Sequence, residues 1–154
     1  MTGKGAAITL RRAVGADAPA LEAIQNGAYA RNRVTLGVEP LPLQTPAAQV
    51  IATMETWLLE EGGEAVAALA LQAQERSLLI WRVATRPDAG GRGHGGRLLD
   101  LAEQRAREMG ASTITLYTGE KLTGNIAWYG RRGFGVDRIE ARSDRRVVHM
   151  SKTI

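Results

Sequence analysis

Apolar and polar residues change period several times along the chain, and each change predicts an element. Ala7 to Ala13 alternates as a strand, with Ile8, Leu10 and either Ala13 or Val14 facing inward. Asp17 is a suitable N-cap with Pro19 in the first turn, and Leu21, Ile24, Gln25 and Ala28 then recur at helical spacing to about Tyr29. Beyond Tyr29 the register dissolves into ARNRVTLGVEPLPLQ, where Gly37, Pro40 and Pro42 predict a loop. Thr45 and Pro46 read as the N-cap and first residue of a second helix running to about Thr53. From Trp57 the pattern becomes extended. Trp57 to Glu61, a Gly62-Gly63 turn and Glu64 to Gln74 suit a hairpin, and Glu75-Arg76-Ser77 turns the chain into a strand at Leu78 to Thr85. Further on, Ser112 to Thr118 is rich in β-branched residues and predicts a strand. A short helix at about Asn125 to Arg132 stops at Gly133, and two strands near Phe134 to Glu140 and Arg145 to Ser151 close the chain around the turn Arg142-Ser143-Asp144. The predicted order is β-α-α-β-β-β-α-β-α-β-β, with no internal repeat or linker, in a single domain spanning 1–154.

Between the strand ending at Thr85 and the next one lies the segment on which the rest is organised. Five glycines fall within Gly90 to Gly96. Lacking Cβ atoms, they let successive backbone N–H groups turn toward one point and approach a ligand closely. Behind them Leu98, Leu101, Ala102, Ala106 and Met109 form an apolar stripe at helical spacing, with Asp100, Glu103, Gln104, Arg107 and Glu108 on the wet side. Glu103 and Arg107 make a well-oriented i,i+4 pair. A strand, a glycine loop and a helix whose positive dipole end faces the loop predict an anion cradle.

Composition narrows the chemistry. The 154 residues include no cysteine and only two histidines, His94 and His149. That excludes thiolate chemistry and argues against a metal site. No stretch approaches the about 18 to 20 apolar residues of a membrane span, and MTGKGAAITLRRA lacks a signal-peptide core, so a cytoplasmic protein without membrane contact is expected. The net charge of +4 comes from arginine, since lysine occurs only at Lys4, Lys121 and Lys152. Basic pairs such as Arg131-Arg132 and Arg145-Arg146 are not interleaved with the aromatics that stack on bases, so nucleic acid is not the expected partner. A polyanionic small molecule is compatible with the charge.

Gly91, Gly93 and Gly96 satisfy GxGxxG, and Glu120 sits near where a ribose-binding acid would fall. Two features oppose a dinucleotide fold. Arg86-Pro87-Asp88-Ala89 separate strand from glycines, and too little chain follows Glu120 for another βαβ half. A P-loop is excluded because no Gly-Lys-Ser/Thr follows. Thr85-Arg86-Pro87-Asp88, Arg92-Gly93-His94-Gly95 and Leu98-Leu99 instead resemble the coenzyme A pyrophosphate loop of the GNAT superfamily of N-acetyltransferases, Gln/Arg-x-x-Gly-x-Gly/Ala, with Gly90 at the family's Gln/Arg position. The stretch Leu116-Tyr117-Thr118 and Asn125 to Phe134 is similar to the family's second acetyl-CoA segment. Asn125 and Tyr129 stand i,i+4 on one helical face, able to address a ligand from one side.

The resemblance implies an α/β (α+β) fold: a mixed, mostly antiparallel sheet of six to seven strands, flanked by about four helices, with central parallel strands that splay apart. It implies acetyl-CoA as cosubstrate, no metal, and an N-acetyltransferase, with homodimers common. Val83, Ala84 and Thr85 would pair with pantetheine through their backbone. Gly91, Arg92, Gly93, His94, Gly95 and Gly96 would hold the pyrophosphate, with Asn125 and Tyr129 completing the cofactor site. The acceptor amine would attack the thioester directly, with Tyr129 as general acid toward the departing thiolate. The strand Leu79 to Thr85 carries no acid, which leaves Glu39 and Glu120 as candidate bases. Tyr29, Arg33, Glu39 and Arg82, with the loop Gly37 to Pro42, would shape the acceptor pocket, and the two arginines suit an acceptor bearing a carboxylate. A small amine or amino-acid-like acceptor is the first reading. Protein N-acetylation is the second, and a non-catalytic acyl-CoA sensor the third.

Overall fold

The computed structural model describes residues 7–37 and 45–154. The loop segment containing Glu39, Pro40 and Pro42 lies outside the described residues. In chain order the elements are β1 (Ile8–Arg12), α1 (Ala18–Leu36), α2 (Ala47–Thr53), β2 (Glu55–Glu61), β3 (Glu64–Ala73), β4 (Ser77–Thr85), α3 (His94–Glu108), β5 (Thr113–Gly119), α4 (Thr123–Arg131), β6 (Gly135–Ala141) and β7 (Arg146–Thr153). Short 3-10 turns occupy Gly15–Asp17 and Pro87–Ala89. The strands form one seven-stranded sheet in the order β1-β2-β3-β4-β5-β7-β6. Every neighbouring pair is antiparallel except β4 and β5. The expected mixed sheet with one parallel pair, flanked among the described residues by four α-helices, is therefore what forms.

Side-chain size decides which helices lie on which face. In β3 the run Val66 to Leu71 is no more than 2% exposed, so this strand is covered on both sides. Its larger residues Leu69 and Leu71 join Leu78, Ile80, Leu98, Leu101 and Ala102 under α3. Its small ones, Ala68 and Ala70, join Ala84 and receive Leu21 and Ile24 of α1 and Val50 of α2 on the other face. Alanine is a weak strand former; here it leaves room for α1 to approach. The Gly62-Gly63 turn has φ of 61° and 86°, a left-handed pair that suits a two-residue hairpin.

Three expectations from the pattern change. α1 does not end at Tyr29 but continues to Leu36, where Gly37 in the left-handed conformation (φ 72°) caps it with its N–H bonded to the Arg33 carbonyl. The apolar stripe fades there because the inner face, Ala28, Asn32 and Leu36, borders a cavity rather than the core. In the edge strand β1, Leu10 stays 39% exposed and Val14 beyond it 58% exposed, so neither faces inward. Arg11 instead joins Asp17 at 2.8 Å and Glu60 at 3.0 Å. Met109 lies past the end of α3 and is 41% exposed, whereas the rest of the predicted stripe is buried.

Candidate active site

The parallel pairing of β4 with β5 extends only from Ser77–Thr113 to Leu79–Thr115. Beyond it the strands part. On the β3 side, Ala70 pairs with Arg82 and Leu71 with Ile80, so Trp81 is an extra residue that bulges β4. A bulge bends its strand and increases the local twist, which swings the end of β4 away from β5. The Trp81 and Tyr117 rings meet edge to face, with centroids 6.3 Å apart. The gap is a cavity of about 500 Å³, walled by Ile80 to Thr85 of β4 and Leu116 to Gly119 of β5. Past Leu79 the β5-facing edge of β4 has no strand partner, so its backbone groups open onto this space.

The glycine segment borders this cavity. Gly91 and Gly93 have φ of 79° and 80°, and Gly93 is the N-cap of α3. An L side chain at either position would cost about 1–2 kcal/mol. Gly91, Gly93, His94, Gly95 and Gly96 all line the cavity. The first-turn amides of α3 and its positive end thus face the same opening. Arg92 does not line the cavity: it is exposed and ion-paired to Glu61 of β2.

A further part of the lining comes from α4. Asn125, Trp128 and Tyr129 line the cavity, and the turn after the helix fixes Tyr129. Gly133 at φ 98° closes the helix; its N–H bonds the Gly130 carbonyl and that of Phe134 bonds the Tyr129 carbonyl, both at 3.1 Å. The Phe134 ring then packs on Tyr129 at 5.8 Å. Burial, and after it the neighbouring Tyr29, pushes the Tyr129 pKa well above the usual phenol range. Tyr29 of α1 donates its hydroxyl to the Val83 carbonyl at 3.0 Å, and burial pushes its pKa up to about 12. Arg82 is 2% exposed on the same wall, and desolvation lowers its pKa to about 10, with Tyr29 opposing.

Of the residues singled out from the sequence, Val83, Ala84, Thr85, Gly91, Gly93, His94, Gly95, Gly96, Asn125, Tyr129, Tyr29 and Arg82 border this one cavity. Arg33 is exposed on α1 and does not line it. Glu120 is also off the lining and pairs with Arg146 at 3.1 Å. Glu39 falls outside the described residues. Sequence reasoning missed Asn32, Trp81, Tyr117, Trp128, Arg132 and Arg145, which also line the space. Asn32 had a signal, a polar residue continuing the α1 stripe, and Tyr117, Trp128 and Arg132 lie within the second segment singled out above; for Arg145 no local signal exists. Among the described residues, no group of three or more histidines, cysteines or carboxylates could hold a metal ion, and no helix is long and apolar enough to cross a membrane.

The sheet thus opens between two parallel strands, glycines at the start of α3 border the opening, and the half-buried Tyr129 lines it. The family model described as "Acetyltransferase (GNAT) family" matches residues 22–134, and the chain belongs to that family of acyl-transferring enzymes. Solved structures agree on the fold. The PaiA N-acetyltransferase from Thermoplasma acidophilum, in complex with coenzyme A, superposes with a TM-score of 0.79 at 14% identity, over 96% of this chain and 99% of that one. The ribosomal-protein-S18-alanine N-acetyltransferase from Escherichia coli gives 0.75 at 19% identity, over 96% and 94%. IAA acetyltransferase from Bacillus cereus gives 0.70 at 16% identity, over 96% and 100%. A comparison with curated protein sequences finds no match.

Proposed function

We propose that the protein transfers the acetyl group of acetyl-CoA to the primary amine of a small or amino-acid-like acceptor. The observation that carries this reading is the single cavity that joins the unpaired edge of β4, the cradle at Gly91 to Gly96 and the Tyr129 side chain. The residues fit the cosubstrate: two left-handed glycines and the first turn of α3 suit a diphosphate, and the open edge of β4 suits the amides of pantetheine. The acceptor nitrogen attacks the thioester carbon, a C–N bond forms and the C–S bond breaks. Tyr129, a phenol that is protonated at neutral pH, gives its proton to the leaving thiolate, and the proton that the attacking nitrogen sheds passes through water to restore the phenol. No carboxylate among the described residues lines the cavity, so the amine is expected to arrive as its free base. Tyr29, Asn32, Trp81 and Tyr117 line the same space and confine the acceptor.

Calorimetry with acetyl-CoA, with NAD as control, tests the cosubstrate. Thiol release against a panel of small amines and N-terminal peptides tests the acceptor. Tight acetyl-CoA binding and turnover of small amines are expected. NAD binding would overturn the cosubstrate assignment, and turnover confined to peptides would overturn the acceptor class.

A further inference from the structure

Two adjacent glycines inside the first turn of a helix need a reason, since each costs about 1 kcal/mol relative to alanine. Neither Gly95 nor Gly96 has a positive φ, so the reason is space. A Cβ on Gly95 would lie 3.1 Å from Cζ2 and Cη2 of Trp128, and one on Gly96 would collide with the guanidinium of Arg132. α4 thus lays two side chains, four residues apart, over the start of α3. The Arg132 guanidinium carbon sits 5.6 Å from the Trp128 ring centroid, which holds the group against the indole face.

This placement is unfavourable on its own terms. Arg132 is exposed, lines the cavity and has no ion-pair partner among the described residues, yet it sits over the positive end of a 15-residue helix. Cation and helix dipole repel there, and an anion bound beside both reverses the sign of the balance. A second feature of the same turn points the same way. His94, 2% exposed and on the cavity wall, has its Nε2 3.6 Å from the Glu61 carboxylate, beyond hydrogen-bond reach, and its Nδ1 buried without a hydrogen-bond partner among the described residues. Gly90 meanwhile stands where the family pattern has a glutamine or arginine side chain.

We propose that Arg132, the residue that follows α4, is the cation that joins the first turn of α3 in holding the pyrophosphate of CoA, supplying the side-chain contact that Gly90 lacks. The proposal rests on the acetyl-CoA reading of the cradle. The planar guanidinium fork can take two phosphate oxygens at once while its face stays on Trp128, which an ammonium would not do.

The test is calorimetry with CoA and with 3′-dephospho-CoA on wild type, Arg132→Ala, Arg132→Lys, Gly96→Ala and the Gly96→Ala/Arg132→Ala pair, with thermal melts to show that each variant folds. Arg132→Ala should weaken both ligands alike, on the order of 10- to 100-fold, and make the salt dependence shallower. Arg132→Lys should restore only part of the affinity. Gly96→Ala should weaken binding in the wild type, because its Cβ displaces the guanidinium, and add little in the Arg132→Ala background. Unchanged CoA affinity in a folded Arg132→Ala protein overturns the proposal, as do fully additive losses. A loss for CoA alone overturns it in favour of a 3′-phosphate contact. If wild type binds neither ligand, the acetyl-CoA reading falls and this inference with it, a result distinct from failure of Arg132 alone.

Discussion

Replacing Gly93 by alanine separates backbone strain from ligand binding, because the hairpin turn supplies a matched control. Gly93 has φ +80° and Gly63 has φ +86°; an added Cβ meets nothing closer than Arg97 Nη1 at 4.0 Å in the first case and nothing within 4 Å in the second. Neither substitution creates a clash, so each costs only the left-handed conformation, about 1–2 kcal/mol. Alanine recovers part of this by restricting the unfolded chain, about 0.4–1 kcal/mol, which leaves a net loss near 1 kcal/mol for both. For a chain of this length that lowers Tm by about 2–4 °C. The two variants should therefore melt alike by differential scanning fluorimetry. They should differ in calorimetry with acetyl-CoA. An alanine at 93 relieves its strain by rotating the amides at the N-cap of α3, and each lost hydrogen bond to a charged group is worth about 1.5–3 kcal/mol, or roughly 10- to 100-fold in affinity. Gly63→Ala, at the tip of the β2–β3 hairpin, should bind as wild type. Equal acetyl-CoA affinity in the two variants, with equal Tm losses, would refute the cradle.

Tyr129→Phe should lower kcat by about 10²-fold or more with Tm little changed, since its side chain lines the open cavity and is only half-buried; an unchanged kcat removes the phenol from the mechanism. Because no described carboxylate lines the cavity, kcat/KM for a primary amine should rise about tenfold per pH unit through neutrality as the free amine accumulates. A plateau below pH 7 would instead reveal a protein base. Asp17 is held down to about 2 by Arg11 first and by the Val14 N–H second. Its folded pKa lies below the ordinary 3.8, so its contribution to stability is present above about pH 4 and lost as the pH falls toward 2. Thermal melts of Asp17→Asn should accordingly fall less steeply than wild type between pH 5 and 2.5, and parallel curves would contradict the assignment.

Local information in the chain determined a great deal. The glycine run, the amphipathic stripe of α3 and the turn after α4 are each written in contiguous residues, because their causes are local: a missing Cβ at Gly91 and Gly93, a 3.6-residue period, and a left-handed Gly133 whose neighbours bond back to α4. Element order followed from the same signals. Where local logic failed, the partner was remote. α1 outran its apolar stripe because its last turns face the cavity, so Asn32 is as well placed there as a leucine would be in the core. Leu10 stayed exposed because β1 is a sheet edge. Only the tertiary structure decided that β7 would insert between β5 and β6, that a bulge at Trp81 would part β4 from β5, and that Arg82 would be buried while Arg33 and Glu120 stayed off the cavity. Those outcomes depend on register and on contacts between residues far apart in sequence, such as Ala70 with Arg82 and Gly119 with Val147. The approach of α4 over α3 is of the same kind: two glycines announced that something comes close, and only the packed fold shows Trp128 and Arg132 arriving there.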